Sequence, residues 1–290
     1  MSGPAERSFS VPLPVPFRLE AVVESHGWAE LVPWQWQAGV LSRRERIGSS
    51  IGLLAISQPR AGQVRVAWRS ERGPAPARAT LNTLVSRCLS WDWDHAPFLA
   101  LAERLEPSIG RLVSGGAGRF LRGTSFYEDF LKTVCTINTT WASTQRMVEA
   151  LVTIVGSGVV PTPRKVLAFG QAALKRRCRL GYRAATVLRC TRRMLADGVL
   201  SAAGHGEAAD LGYDYLLSLP GIGPYAAAHC RVLLHDFSRL PIDSGVTEHL
   251  SATYGLKEKE FERHFEPWGE YRFLGYKLPR IARRIEGGDG

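Results

Sequence analysis

The pattern of hydrophobic residues changes near residue 90, and this change limits the folds that the chain can adopt. Before it, segments rich in β-formers are separated by glycine and proline, and the clearest are residues 17–28, 49–56 and 63–70. After it, apolar residues recur with the period of an amphipathic helix almost to the end of the chain. The pattern predicts an α+β fold, in which an N-terminal antiparallel β-sheet domain precedes a mostly α-helical domain.

Boundaries within this plan follow from prolines, glycines and hydroxyl residues. Residues 1–16 contain four prolines and are predicted to form a flexible tail. The sheet domain, with a helix, is predicted over residues 17–112, and the helical domain over residues 113–290. The helical segments open at Pro, Ser or Thr or close at glycine. They cover residues 126–140, 141–156, 161–175 and 182–198.

The charge of the chain narrows the class of partner. Its 37 Lys and Arg residues exceed its 27 Asp and Glu residues, which gives a formal net charge of +10. Such a charge favours a polyanion, either nucleic acid or an anionic membrane surface. A basic segment, residues 164–195, contains ten Lys and Arg residues and no acidic residue. It is expected either to contact a DNA backbone or to be an ordinary solvated surface.

Hydrophobic runs and cysteines both favour a cytoplasmic protein. No apolar run approaches the length of a membrane span, and the N-terminus lacks the features of a secretory signal. The cysteines include no CxxC pair, so reduced thiols are expected rather than a disulfide framework or a metal site. They are Cys88, Cys135, Cys178, Cys190 and Cys230.

The segment LPGIGP, residues 219–224, predicts a tight turn between two helices. Gly221 and Gly223 permit backbone angles that other residues avoid, and Pro224 suits the first position of a helix. Free amides of the turn and of the new helix would face the same way and form a positive concavity suited to a phosphate oxygen. Glycine and proline turns join helices in many proteins, so the turn alone does not define a function.

An acidic residue follows this turn. Asp243 lies between the apolar residues 240–242 and a predicted helix. At such a position Asp often serves only as an N-cap. A carboxylate beside a bound nucleic acid could instead stabilise positive charge on a sugar. The residues alone leave both roles open.

The segment LPGIGPYAA, followed by PID, resembles the signature of the helix-hairpin-helix DNA glycosylases. The resemblance extends over residues 17–284 and implies a helix-hairpin-helix glycosylase core. The sheet region resembles the extra domain of the 3-methyladenine and 8-oxoguanine glycosylase branches. Three helical stretches are also similar to helices of the family, and they are residues 126–152, 177–195 and 267–280.

This resemblance implies a DNA N-glycosylase of base excision repair, which flips a damaged base from duplex DNA and hydrolyses its glycosidic bond. It assigns catalysis to Asp243. It assigns DNA contacts to the turn, at Leu219, Gly221, Ile222 and Gly223. Tyr225 stands where family members that also cut the strand carry a lysine. A monofunctional enzyme that leaves an abasic site is therefore expected, with an alkylated purine as its substrate.

Several helices are expected to supply the pocket for the flipped base. Tyr225 and His229 lie four residues apart on one flank of the helix after the turn, although His229 is equally compatible with a structural, hydrogen-bonded role. Trp141 and Trp268 are expected to stack on the base, although aromatics at helical spacing often belong to the core. Asn138 matches the family's polar gap-filling position and also suits a helix C-cap.

The resemblance also defines expectations about cofactors and partners. The family's iron–sulfur loop needs four cysteines near the C-terminus, and no cysteine follows Cys230, so no cluster is expected. No metal is expected in the chemistry, although a monovalent cation could lie at the turn. The expected partner is double-stranded DNA with a damaged base, bound by a monomer in the cytoplasm at the nucleoid. The alternatives are excision of a mismatched thymine or uracil, excision of an oxidised purine, and DNA binding without catalysis.

Overall fold

The computed structural model describes residues 5–13 and 16–286 of the chain. Five strands form one antiparallel sheet in the spatial order β1-β5-β4-β3-β2. They are β1 (Glu6–Pro12), β2 (Trp34–Gln37), β3 (Val40–Ile47), β4 (Ser50–Arg60) and β5 (Gln63–Arg72). In β5, Val64, Val66 and Trp68 are buried while Arg65 and Arg69 are exposed. This alternation is the one expected of a sheet covered on one face, and the antiparallel sheet predicted from the sequence is confirmed.

Much of the segment predicted as a flexible tail, residues 1–16, forms the first strand of the sheet. Residues Glu6–Pro12 pair antiparallel with β5 at the edge of the sheet. Phe9 and Val11 are half-buried between exposed serines, an alternation that the prolines obscured in the sequence. A proline is tolerated at the end of an edge strand because no ladder bond is lost there. Residues 1–4 and 14–15 lie outside the described residues.

The extended segment predicted at residues 17–28 is wrong. These residues form α1 (Leu19–Val23), followed by a 3-10 turn at Gly27–Glu30. Leu19, Val22 and Val23 recur at intervals of three and one and are buried together on one side. Burial of this helical face outweighs the preference of valine for strands.

Helices form most of the remaining described chain, and the predicted α+β class is confirmed. They are α2 (Arg78–Cys88), α3 (Ala96–Leu105), α4 (Pro107–Ser114), α5 (Phe126–Thr136), α6 (Trp141–Ala150), α7 (Pro163–Phe169), α8 (Gln171–Arg177), α9 (Arg183–Ala196), α10 (Tyr213–Ser218), α11 (Pro224–Val232), α12 (Ser244–Tyr254), α13 (Phe261–His264) and α14 (Arg272–Glu286). The helical segment predicted at residues 161–175 is divided into α7 and α8 by Gly170, whose φ is 80°.

The hydrophobic core does not divide at residue 112, the predicted domain boundary, which lies inside α4. One buried cluster joins Trp68 of the sheet to Phe130 of α5. A second cluster joins Phe98 of α3 to Phe273 of α14. The sheet therefore packs on the central helices, while α3 and α4 pack with the C-terminal ones.

A buried ion cluster fastens the sheet to α5. Arg43 of β3 donates two hydrogen bonds of 3.0 Å to the carboxylate of Glu128. Lys132, one turn further along α5, lies 2.8 Å from the same carboxylate. All three side chains are buried, so each charge depends on its partners for compensation. The cluster fixes the helix that carries Thr133 and Thr136 to the site described next.

Candidate active site

The turn between α10 and α11 requires glycine at one of its two glycine positions. Gly221 has a φ of 83°, and a Cβ there would lie 2.7 Å from Oγ1 of Thr186. Gly223 has a φ of −102°, and no atom lies within 4 Å of a Cβ placed on it. The special backbone angle predicted for Gly223 is therefore wrong. Leu219 and Ile222 are buried and close the turn through a 3.1 Å backbone hydrogen bond, so only their backbone can face a ligand.

The N-terminus of α11 begins at this turn without a side-chain cap. By contrast, Ser125 caps α5 and Asp243 caps α12. The first amides of an uncapped helix keep their capacity to donate hydrogen bonds, and the helix dipole adds partial positive charge. The turn and the start of α11 can therefore bind an anion such as a phosphate oxygen.

Asp243 lies at the N-terminus of α12. Its Oδ1 accepts a 2.8 Å hydrogen bond from the backbone N–H of Val246, so the N-cap role is real. The cap engages one carboxylate oxygen. The side chain is exposed and borders three cavities of about 230, 460 and 350 Å³. The same carboxylate can therefore cap the helix and face a ligand.

These three cavities share Asp243 and Tyr225, and each also has wall residues that the other two lack. The inner cavity, of about 230 Å³, also has His229, Tyr276, Lys277 and Arg280 in its walls. The outer cavity, of about 460 Å³, is bordered by Trp28, Thr136 and Trp141. The hairpin cavity, of about 350 Å³, is bordered by Asn138, Gly223 and Pro224.

Tyr225 stands at the centre of the site, where the sequence places a pocket residue. Its hydroxyl lies 3.1 Å from Oγ1 of Thr136. Burial raises the pKa of Tyr225 to about 12; the hydrogen bond to Thr136 opposes this rise and the charge of Asp243 adds to it. The phenol therefore stays protonated at neutral pH and can form hydrogen bonds without acting as a base.

His229 is a neutral, half-buried side chain that borders both the inner and the outer cavity. Its Nδ1 lies 3.0 Å from Oγ1 of Thr133, and its ring centroid lies 5.1 Å from that of Trp28. Burial, assisted by the charge of Lys277, lowers the pKa of His229 to about 4. The geometry thus accommodates both the structural and the pocket-lining interpretations of this residue. His26, which donates from Nε2 to the carbonyl of Leu121 at 2.6 Å, also has its pKa lowered by burial.

Helix α14 contributes side chains to the site that were not predicted from the sequence. Phe273, Tyr276, Lys277 and Arg280 all border the inner cavity beside Asp243. Their spacing of three, one and three residues places them on one helical face, and this periodicity is the signal that could have identified them. They bring two cations to the cavity.

Asn138 and Trp141 both reach the site. Asn138 is exposed at the hairpin cavity with a φ of 44°, and the buried Arg183 donates a 3.1 Å hydrogen bond to its carbonyl. Trp141 is 37% exposed and donates from Nε1 to Glu30 at 2.6 Å. Asn138 and the indole of Trp141 therefore both lie at the edge of cavities that Asp243 borders, where they are accessible to a ligand.

Trp268 does not reach the site, and its prediction as a stacking residue is corrected. It is buried, its ring centroid lies 6.0 Å from that of Phe98, and it borders none of the three cavities. A Cβ on Gly275 would lie 2.5 Å from its ring, so the indole packs directly against the backbone of α14. Trp268 is a core residue.

The basic segment spans α7, α8 and α9. Most of its cationic side chains are exposed, including Arg176, Arg177, Arg189 and Arg192. Arg183 is the buried exception and holds the loop of Asn138. Contact of this segment with DNA stays a prediction.

Cysteines and hydrophobic helices add no further site within residues 5–13 and 16–286. The five cysteines are buried and unpaired. No group of three or more His, Cys, Asp or Glu residues there could hold a metal ion. In the same part of the chain, no helix combines the length and hydrophobicity needed to span a bilayer.

The architecture matches solved DNA glycosylases, so the chain has the fold of the helix-hairpin-helix DNA glycosylases. No protein-family model and no curated protein matches its sequence. The 3-methyladenine DNA glycosylase from Archaeoglobus fulgidus is similar over 96% of this chain and 99% of its own, with 17% identity and a TM-score of 0.75. The apo 8-oxoguanine glycosylase/lyase from Clostridium acetobutylicum is similar over 97% of this chain and 98% of its own, with 16% identity and a TM-score of 0.71. Its complex with double-stranded DNA covers 99% of each chain, with 16% identity and a TM-score of 0.68.

Proposed function

We propose that the protein is a DNA N-glycosylase of base excision repair, in which Asp243 acts on a damaged base flipped out of the duplex. One observation carries the proposal: Asp243 and the uncapped start of α11 border the same hairpin cavity. A phosphate bound by the amides near Gly223 and Tyr225 would hold the DNA strand at that cavity. The sugar of a flipped nucleotide would then lie beside the carboxylate.

The proposed reaction is hydrolysis of the bond between C1′ and the base. As this bond breaks, the electron pair leaves with the base and positive charge develops on the sugar. The carboxylate of Asp243 stabilises that charge and orients a water molecule, whose oxygen bonds to C1′ and whose proton passes to solvent. The product is an abasic site.

The inner cavity is the proposed site for the flipped base. Its volume of about 230 Å³ lies below the roughly 300–1,000 Å³ typical of sites for drug-sized ligands and suits a single heterocycle. Phe120 and Phe273 supply apolar faces, and Tyr225 supplies a polar edge. In this arrangement Asn138 fills the gap in the duplex and Trp141 packs against the DNA at the cavity entrance.

The hairpin contact can be tested at Gly223, where a side chain fits without disturbing the fold. We expect Gly223→Val to weaken binding to duplex DNA about tenfold, because the side chain would stand over the first amides of α11. Its melting temperature should stay close to that of the wild type, since the backbone there is extended and open. Fluorescence anisotropy at fixed salt concentration would measure the affinity.

Gly221→Ala is the contrasting control, because its new Cβ would collide with Thr186 and its φ is unfavourable for alanine. This variant should lose stability as well as affinity. Unchanged DNA affinity in Gly223→Val would contradict phosphate binding at the turn.

We also propose that the enzyme is monofunctional, because Tyr225 cannot form a Schiff base with the sugar. Lys132 is buried and paired with Glu128, and Lys257 and Lys259 border none of the three cavities. Lys277 does border the inner cavity, and its charge contributes to the lowered pKa of His229. We assign it an electrostatic role there, which the adduct assay below tests.

Incubation with duplexes that each carry one lesion tests both parts of this proposal. We expect strand breaks only after treatment with alkali, and no covalent protein–DNA adduct after reduction with borohydride. Breaks without alkali, together with an adduct that Lys277→Arg abolishes, would contradict the monofunctional assignment. No base release from alkylated, oxidised, deaminated or mismatched substrates would favour a DNA-binding protein without catalysis.

The remaining parts of the proposal concern partners and cofactors. The protein would bind duplex DNA as a monomer at the nucleoid and need no cofactor for hydrolysis. A monovalent cation could bridge turn carbonyls and the phosphate. Alkylated purines are the substrate class expected from the sequence resemblance, and oxidised or deaminated purines are a second class favoured by the cations of α14.

A further inference from the structure

The charges that face the inner cavity are unbalanced. Lys277 and Arg280 border it, and Asp243 is the single carboxylate among its described lining residues. Arg280 is held by a hydrogen bond to the hydroxyl of Tyr276, and its guanidinium lies 5.3 Å from the centre of that ring. The two cations therefore share one wall of the cavity.

The two histidines that border the cavity add no charge to this wall. His26 and His229 are neutral near pH 7, because burial lowers the pKa of each. Gly245 and Val246, at the start of α12, also border the cavity, but Asp243 caps that helix end and compensates its partial positive charge. A base in this cavity would therefore meet the two cations of α14 as well as the carboxylate of Asp243.

Damaged purines differ in the charge that they carry into such a cavity. A purine alkylated at N3 or N7 carries a positive charge, and when the C1′–N9 bond breaks, its electron pair neutralises the base. An oxidised or deaminated purine is uncharged, so the same electron pair makes it an anion until a proton is taken up. In both reactions the water oxygen bonds to C1′ and the water gives up one proton. With an alkylated base this proton passes to solvent, and with an uncharged base it balances the proton that the departing anion takes up.

We propose that Lys277 and Arg280 determine specificity by stabilising the base as it leaves with negative charge, so that uncharged purine lesions with a ring carbonyl are selected over cationic alkylated purines. The proposal rests on the glycosylase function proposed above and assigns a substrate class to the same cavity. Both side chains can also donate hydrogen bonds to a carbonyl oxygen of the base. The same charges repel a cationic base before the bond breaks.

The test compares release of hypoxanthine, 8-oxoguanine and 7-methylguanine from otherwise identical duplexes, under single-turnover conditions and relative to spontaneous loss. We expect Lys277→Met to slow release of the two uncharged bases about tenfold or more, the effect of losing one charge that stabilises developing negative charge. Release of 7-methylguanine should be unchanged or faster. Lys277→Arg should restore the wild-type preference, and Lys259→Met, which removes an exposed lysine outside the cavity, should behave as wild type.

The outcomes separate this proposal from the proposed function. An equal loss on all three bases in Lys277→Met would indicate a structural role and overturn the specificity proposal. The specificity proposal would also be overturned if the wild type enhanced release of 7-methylguanine more than release of either uncharged base. That result would leave the glycosylase function intact. Release of none of the bases by the wild type would overturn the glycosylase function itself, and the specificity proposal with it.

Discussion

Asp243→Asn is expected to slow base release by about 10²–10⁴-fold while leaving the fold and DNA affinity nearly unchanged. Asparagine keeps the oxygen that accepts the hydrogen bond from Val246, and it is as good an N-cap as aspartate. It lacks the negative charge that would stabilise a developing sugar cation. Single-turnover rates on a lesion duplex would report the catalytic role of this residue. Anisotropy and thermal melting of the same variant would report DNA affinity and the contribution of the helix cap to stability.

Glu248→Gln is the matched control, because it removes an exposed carboxylate from the same helix. Glu248 borders none of the three cavities. Its rate should equal that of the wild type. Asp243→Ala should lose activity and, in addition, about 1 kcal/mol of stability through loss of the cap. A rate for Asp243→Asn within a few-fold of wild type would exclude the carboxylate from the reaction.

Glu128→Ala should produce the largest loss of stability, about 3–5 kcal/mol in the free energy of unfolding. It removes the carboxylate that the buried Arg43 and Lys132 share, and of this cluster Arg43 keeps only its 2.7 Å ion pair with Glu45. It also removes the acceptor of a 2.9 Å hydrogen bond from the backbone of Thr124. Urea denaturation of purified protein would measure the change.

Acid sensitivity provides a second measurement on the same cluster. Burial alone would raise the pKa of Glu128, but the charges of Arg43 and Lys132 outweigh it and lower that pKa well below the usual range. A carboxyl with a depressed folded pKa stabilises the protein above its unfolded value of about 4.3, and this contribution is lost as the pH falls further. The wild type should therefore lose stability in acid more steeply than Glu128→Ala does.

The exposed ion pair between Arg44 and Glu71 provides the control for this prediction. Its atoms lie 2.7 Å apart, but both side chains are more than one-third exposed. Solvent screens such a pair, so Glu71→Ala should cost about 0–1 kcal/mol. Similar losses in Glu71→Ala and Glu128→Ala would contradict the structural role assigned to the buried cluster.

The parts of the site that the sequence predicted correctly are those formed by short contiguous segments. Gly221 adopts the positive φ expected of the turn, and Pro224 is the first residue of α11. Asp243 precedes α12 by one residue, as its apolar and helical flanks indicated. Local backbone chemistry determines these features, so a sequence pattern is enough to find them.

The cavity walls depend on contacts between distant segments, which a linear pattern does not reveal. His26 comes from the turn after α1, and Lys277 comes from α14, yet both border the inner cavity with Asp243. Trp268 has the aromatic character of a stacking residue, but its position against Gly275 places it in the core. The strand β1 was missed because prolines flank a short apolar alternation whose partner lies in β5.

A crystal structure of Asp243→Asn bound to a duplex with one lesion would show whether the turn and Asp243 hold a flipped nucleotide between them. We expect a phosphate oxygen on the amides at the start of α11, the damaged base within the inner cavity, and C1′ of that nucleotide beside residue 243. A lesion that remains stacked in the duplex, with the DNA held on another surface and no phosphate at the turn, would contradict this expectation.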